Sequence, residues 1–304
     1  MVVIGGPTGI GKTRTGIELA TKFNSVIISA DSRQIYRELP IGTSAPTNEE
    51  QAQVKHYLVG TRSIFDYYSA YEFEQDAMYL SEELFAQHEV LFMVGGSMMY
   101  LDSFCYGIDE LPTVDPGLRD DLMKHYKEEG IEAIRLQLKS LDPEYYGQAD
   151  LKNHKRLIHA LEICLMTGMP YSSLRTGMRK ERPFRIIRIG LDMDRDDLYK
   201  RINHRVEDMM SRGLLEEARA LKDHRHLNSL NTVGYKELFD YFDGQYSLEK
   251  AVELIQRNTR RYARKQLSWF RRDKDIQWFH PSKTEDMIVF IRQSLQIDLP
   301  KASH

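Results

Sequence analysis

The sequence predicts an α/β protein with a parallel-sheet core and a helical insertion domain. Three observations predict it. An apolar stretch beginning at residue 2 runs into Gly6-Pro7-Thr8-Gly9-Ile10-Gly11-Lys12-Thr13, which fits G-x-x-x-x-G-K-[ST] at every fixed position and opens a helix. Continuous apolar runs at 25–30 and 90–94 are of the kind buried on both faces of a parallel sheet. Between about 113 and 182 no strand pattern occurs, and helical periodicity takes over. The expected organisation is a P-loop NTPase-like core, 1–112 with 183–304, and an insertion, 113–182.

In chain order, the first strand feeds the phosphate loop. Glycines let backbone N–H groups face an anion without Cβ clashes, and the following helix directs its positive end to the same place. Ile17, Leu19, Ala20 and Phe23 include apolar positions at helical spacing. The strand at 25–30 ends at Asp31, completing a βαβ unit and implying parallel strands. A helix is expected over 69–88. The strand at 90–94 ends in Gly95-Gly96-Ser97. Helices are expected at 116–129, 131–141 and 152–167, the last stopped by Gly168 and Pro170. Alternation returns at 184–191, the strand that rejoins the sheet. Helices follow at 195–211, 213–223, 233–243 and 247–272, then a short strand at 276–279 and a helix at 282–296.

The bulk composition excludes several classes. The 304 residues carry a net charge of −3, so no global basic field attracts a polyanion and nucleic-acid contact must come from local patches. No stretch approaches the roughly 20 apolar residues of a membrane span. Two distant cysteines, Cys105 and Cys164, read as buried thiols. With no leader ahead of the first strand, a cytoplasmic protein is expected.

The loop binds a diphosphate or polyphosphate, with Lys12 as a full charge and the Thr13 hydroxyl as a ligand for Mg²⁺. The strand at 90–94 lacks the acidic end that nucleotide-driven motors place there. Asp31, at the carboxyl edge of the sheet, suits a general base or a turn cap. The Ser97 hydroxyl suits a helix cap or a bond to a reacting group. Residues 256–272 carry seven basic side chains and no acid. Arg257, Arg261, Arg264, Lys265 and Arg272 cluster loosely on one helical side, with Tyr262, Trp269 and Phe270 interleaved. Weaker basic patches are Arg175, Arg179, Lys180, Arg182, Arg185 and Arg188, and Lys152, His154, Lys155, Arg156 and His159. Together they point to an extended polyanion such as RNA. A free-adenylate transferase, a small-molecule kinase and a non-catalytic RNA-binding module are the alternatives.

These features together resemble the tRNA dimethylallyltransferase family (tRNA isopentenyltransferases) over roughly residues 1–280. The resemblance rests on the phosphate loop, residues 28–36, Ile41-Gly42-Thr43, residues 94–97 with Tyr100, residues 153–162, 201–206, 233–236 and 259–271. It implies attack by N6 of adenosine-37 of tRNA on C1 of dimethylallyl diphosphate. Residues Gly6, Pro7, Thr8, Gly9, Ile10, Gly11, Lys12 and Thr13 would hold the diphosphate, with Mg²⁺ at Thr13. Asp31 would be the base, Ser97 would stand where the family usually has Thr, and Arg205 with Lys12 would neutralise the leaving group.

The same resemblance implies tRNA contacts at Asp31, Ser32, Arg33, Gln34, Ser97, Arg119, Lys155, Arg156, His159, Gly234, Tyr235, Lys236, Arg264, Lys265, Trp269 and Arg271. A bacterial-type enzyme is implied, because no C-terminal Cys/His zinc module is present, and a monomer is expected. The chain departs from the family at Ser44-Ala45-Pro46, where a loop lysine is common. It departs again at His154 and His159, which replace a common Asp and Arg.

Overall fold

A computed structural model describes residues 1–112 and 115–296. The elements in chain order are β1 (Val2–Gly5), α1 (Lys12–Lys22), β2 (Ile27–Ser29), α2 (Asn48–Gln53), β3 (His56–Tyr57), α3 (Ala70–Phe85), β4 (Phe92–Val94) and α4 (Met98–Tyr106). Then come α5 (Pro116–Glu129), α6 (Ile131–Leu141), α7 (Pro143–Gln148), α8 (His154–Thr167) and α9 (Tyr171–Leu174). The chain continues with β5 (Ile187–Leu191), α10 (Arg195–Ser211), α11 (Leu214–Ala220), α12 (Tyr235–Phe242), α13 (Leu248–Phe270), β6 (Gln277–Phe279) and α14 (Thr284–Gln296). Two compact units result: Met1–Cys105 with Arg182–His304, and Tyr106–Glu181.

The first unit holds one six-stranded, wholly parallel sheet in the order β3-β2-β4-β1-β5-β6. The βαβ connection through α1 is present, but β4 lies between β1 and β2. Both faces of the sheet are covered, so its strands need no polar alternation. Val2, Ile4, Ile27, Phe92 and Ile189 are at most 1% exposed and form one cluster with Leu19 and Ala20 of α1 and Ile202 of α10. Each such side chain contributes about 1.5–3 kcal/mol by leaving water.

Local chemistry explains the helix starts. Ser69 and Glu72 form a reciprocal capping box ahead of α3. Thr47 and Glu50 form another ahead of α2, a helix missing from the expected elements although its T-x-x-E signal is in the sequence. Asp142 caps α7 with Pro143 in its first turn, a helix likewise missing from the expected elements, as is α9. The second unit is all helical. Its core joins Leu122, Ile134, Leu138, Leu157, Leu161 and Cys164. Among the described residues no helix is long and apolar enough to cross a membrane.

Candidate functional site

The phosphate loop leaves β1 and turns through Gly9 and Gly11 at φ 82° and 103°. A side chain would be strained at those angles. Lys12 Nζ donates to the carbonyls of Gly6 and Pro7, at 3.0 and 2.9 Å. Burial pushes the Lys12 ammonium down to about 7, the Arg205 charge pushes the same way, and Asp31 opposes them. An anion at the loop would restore that charge. Arg205, from α10, donates to Thr8 Oγ1, Ser44 Oγ and the Thr43 carbonyl, at 3.3, 2.9 and 3.2 Å.

Asp31 follows β2 at the carboxyl edge of the sheet, where open α/β sheets place their ligands. Its Oδ1 accepts from the backbone N–H groups of Arg33 and Gln34, at 2.9 and 3.3 Å. Oδ2 makes no hydrogen bond among the described residues. The turn-cap reading of Asp31 is thus realised through Oδ1, and Oδ2 is left without a bond there. Ser97 is buried, and its backbone N–H donates to Ala30 O. Among the described residues its hydroxyl makes no capping bond to α4, which corrects the cap reading.

Lys12, Thr13, Asp31, Ser32, Arg33, Ser97 and Arg205 all line one cavity of about 740 Å³. Gly234, Lys236, Lys265 and Gln266 line it too, and Tyr262 is the one aromatic side chain on its wall among the described residues. No group of three or more His, Cys, Asp or Glu capable of holding a metal exists among the described residues. The Thr13 hydroxyl makes no hydrogen bond there. That donor set fits a hard cation held mainly by diphosphate oxygens and water, and does not fit an all-protein cage.

Several expected tRNA contacts sit differently. Tyr235 is fully buried, and its hydroxyl donates to Glu217, which also accepts from the N–H groups of Ile41 and Gly42. Its side chain is therefore a support of the 41–44 loop and not a surface contact. The Gln34 amide is engaged by the carbonyls of Thr43 and Ser44. Trp269 donates to Asp102, and Arg271 pairs with Asp192; neither lines the cavity. In the second unit Arg119 grips the fully buried Glu162 through two 2.7 Å bonds, and His159 approaches the same carboxylate at 3.4 Å. Lys155 and Arg156 are exposed at the start of α8.

The patch from Arg175 to Arg188 is not one surface. Arg182 pairs with buried Glu74, and Arg188 with Asp273. The reading from sequence gave no role to Gln266 or Glu217, whose partners lie far off in the chain.

Comparison with known proteins gives a consistent picture. The chain matches the IPP transferase family over residues 34–273. It is 56% identical over 295 residues to tRNA dimethylallyltransferase 2 of Parabacteroides distasonis, covering 97% of this chain and 99% of that one. It is 54% identical to tRNA dimethylallyltransferase 1 of Bacteroides thetaiotaomicron, covering 99% and 97%. The tRNA isopentenylpyrophosphate transferase of Bacillus halodurans superposes with a TM-score of 0.70 at 35% identity, over 97% and 96% of the two chains. A eukaryotic dimethylallyltransferase solved acting on tRNA shares the fold, with a TM-score of 0.81 at 23% identity over 100% of this chain and 81% of that one. With the phosphate loop, the strand-end carboxylate and the parallel sheet already in place, this chain belongs to the IPP transferase family of tRNA prenyltransferases.

Proposed function

We propose that the protein transfers a dimethylallyl group from dimethylallyl diphosphate to N6 of adenosine-37 in tRNA, releasing diphosphate. The observation that carries this reading is one cavity lined at once by the phosphate loop, Arg205 and Asp31. The N6 lone pair forms the new bond to C1 while the C1–O bond breaks, its electron pair leaving on the diphosphate. The N6 proton passes to the Asp31 carboxylate. An exocyclic aromatic amine is a weak nucleophile, so a base accepting its proton as the bond forms lowers the barrier and raises the rate by a factor of about 10²–10⁴.

Charge grows on the departing diphosphate, and preorganised cations stabilise it more than they stabilise the ground state. Lys12 and Arg205 are those cations. A divalent cation, Mg²⁺ in this reading, would be held by the Thr13 hydroxyl and would neutralise further phosphate charge. The buried hydroxyl of Ser97, free of capping duty, is available to the incoming base. Extruding a base from the anticodon loop needs a surface that holds RNA. Arg33, Arg261, Lys265 and Lys236 supply cations on the cavity wall. The insertion, with Arg119, Lys155, Arg156 and His159, is proposed as a further tRNA-contacting unit, and the active species as a monomer.

The test is incubation with labelled dimethylallyl diphosphate and unmodified tRNA. Label is expected in tRNA at adenosine-37 and not in AMP. Tranferred label on AMP, or none on tRNA, removes the reading.

A further inference from the structure

The last backbone bond between the segments leading to the two reactive loops is Gly95 N–H to Ile4 O, at 3.1 Å, among the described residues. Past that point β1 runs into the phosphate loop and β4 into Gly96-Ser97. One side chain continues the tie beyond the sheet. Gln266 of α13 is 2% exposed. Its Oε1 accepts from Thr8 N–H at 2.9 Å, and its Nε2 donates to Gly96 O at 2.8 Å. An amide is suited to this because it is both acceptor and donor in one planar group.

Two other observations point the same way. A Cβ on Gly96 would lie 2.5 Å from Gln266 Nε2 and 3.2 Å from Lys12 Nζ, so the amide and the ammonium fill the space a side chain would need. Thr8 gives its N–H to Gln266 while its hydroxyl accepts from Arg205 at 3.3 Å. Thr8 N–H is thus committed to geometry, and its placement carries through to Arg205.

We propose that Gln266 is a positioning residue that sets the spacing between the diphosphate loop and Ser97. It touches neither substrate in this account and acts through Thr8 and Gly96. The proposal deepens the prenyl-transfer reading and rests on it. Its physical basis is that misplacing a reacting group by about 1 Å costs about 100-fold in rate. A buried amide retained only for packing would instead be replaceable by an apolar side chain of the same length.

The test uses Gln266→Met, which keeps the length and removes both hydrogen bonds, in wild-type and Ser97→Ala backgrounds. With melting temperature controlled, kcat is expected to fall about 10- to 100-fold with the KM for tRNA unchanged. In the Ser97→Ala background the same substitution is expected to cost less than about 3-fold, because residues acting as a unit are non-additive. Inorganic diphosphate, titrated calorimetrically with a divalent cation present, is expected to bind about five-fold more weakly, because the untied Thr8 loop then forfeits about one ordinary hydrogen bond to the anion. Gly96→Ala attacks the same contact from the other side. It is expected to give the same pattern if Gln266→Met does not fold. Equal losses in both backgrounds, or unchanged diphosphate affinity, overturn the proposal. A wild-type chain that binds diphosphate yet leaves tRNA unlabelled overturns the reaction itself, and the diphosphate titration then still decides the phosphate-loop half.

Discussion

Asp31 divides its two oxygens between two tasks. Oδ1 holds the turn through Arg33 and Gln34, and Oδ2 is free for the proton. Asparagine keeps the first task and loses the second. Asp31→Asn is therefore expected to lower kcat by about 10²–10⁴ with an unchanged melting temperature and KM for dimethylallyl diphosphate. Near-normal turnover would place the base elsewhere. Arg205→Ala removes a cation that touches the loop and the 43–44 segment together. It is expected to weaken inorganic diphosphate binding and to lower kcat, by calorimetry and steady-state rates; unchanged values for both would remove it from leaving-group stabilisation. Lys12, Asp31 and Ser97 were legible in the sequence because each stands in a short local motif, Lys12 opening α1 after the phosphate loop and Asp31 and Ser97 following β2 and β4. Glu217 and Gln266 were not. Their partners lie 175 and 258 residues away, and no periodicity records such a pairing. Tyr235 was found as part of a motif, but its burial is a tertiary fact.

At the scale of the element, α13 carries two functions on different faces. Ala251, Ile255, Ala263, Gln266 and Phe270 face inward, while Arg261, Arg264 and Lys265 are exposed and make no salt bridge among the described residues. The basic run was visible in the sequence, but its division was not. Arg260 is drawn to Asn203 and Arg271 to Asp192, while the cations between them stay exposed. Arg261→Ala and Lys265→Ala are each expected to raise the KM for tRNA and leave diphosphate binding unchanged. Each should also reduce the slope of log affinity against log salt by about 0.7–0.9. A slope that does not change would show that the cation does not meet phosphate. The capping boxes of α2 and α3 follow the same T/S-x-x-E rule, yet only α3 was read. Six residues give too short a periodic signal to accompany the cap.

For the whole molecule, the phosphate loop and apolar strands announced a parallel sheet, while the strand order came from packing. Arg182 reopens the core unit after the insertion, and its pair with Glu74 leaves the two side chains 7% and 1% exposed. Arg182→Ala removes the guanidinium that pairs with buried Glu74 and bonds the carbonyls of Ser103 and Phe104, and is expected to destabilise the chain by about 3–5 kcal/mol in denaturant unfolding. A loss below about 1 kcal/mol would mean that Glu74 finds another partner. In the insertion, burial raises the Glu162 carboxyl, but bonds to Arg119 and His159 outweigh it and hold the group below its ordinary value. Its folded form therefore contributes stability above the ordinary carboxylate range and loses it as pH falls through that range. Glu162→Gln is expected to flatten this acid limb in melting curves recorded between about pH 6 and 3; an unaltered limb would assign it to other carboxylates. The placement of β1 has a consequence for synthesis. Its partners are β4 on one side and β5 on the other, with Val2 opposite Phe92 and Ile187. As the chain leaves the ribosome, the strand made first keeps one bare edge until some 185 later residues have emerged. The insertion has its own core and is complete by then. Closing the sheet is thus a late, long-range step, slow by the rule that distant pairings fold slowly, and the nascent chain carries an exposed apolar edge in the meantime.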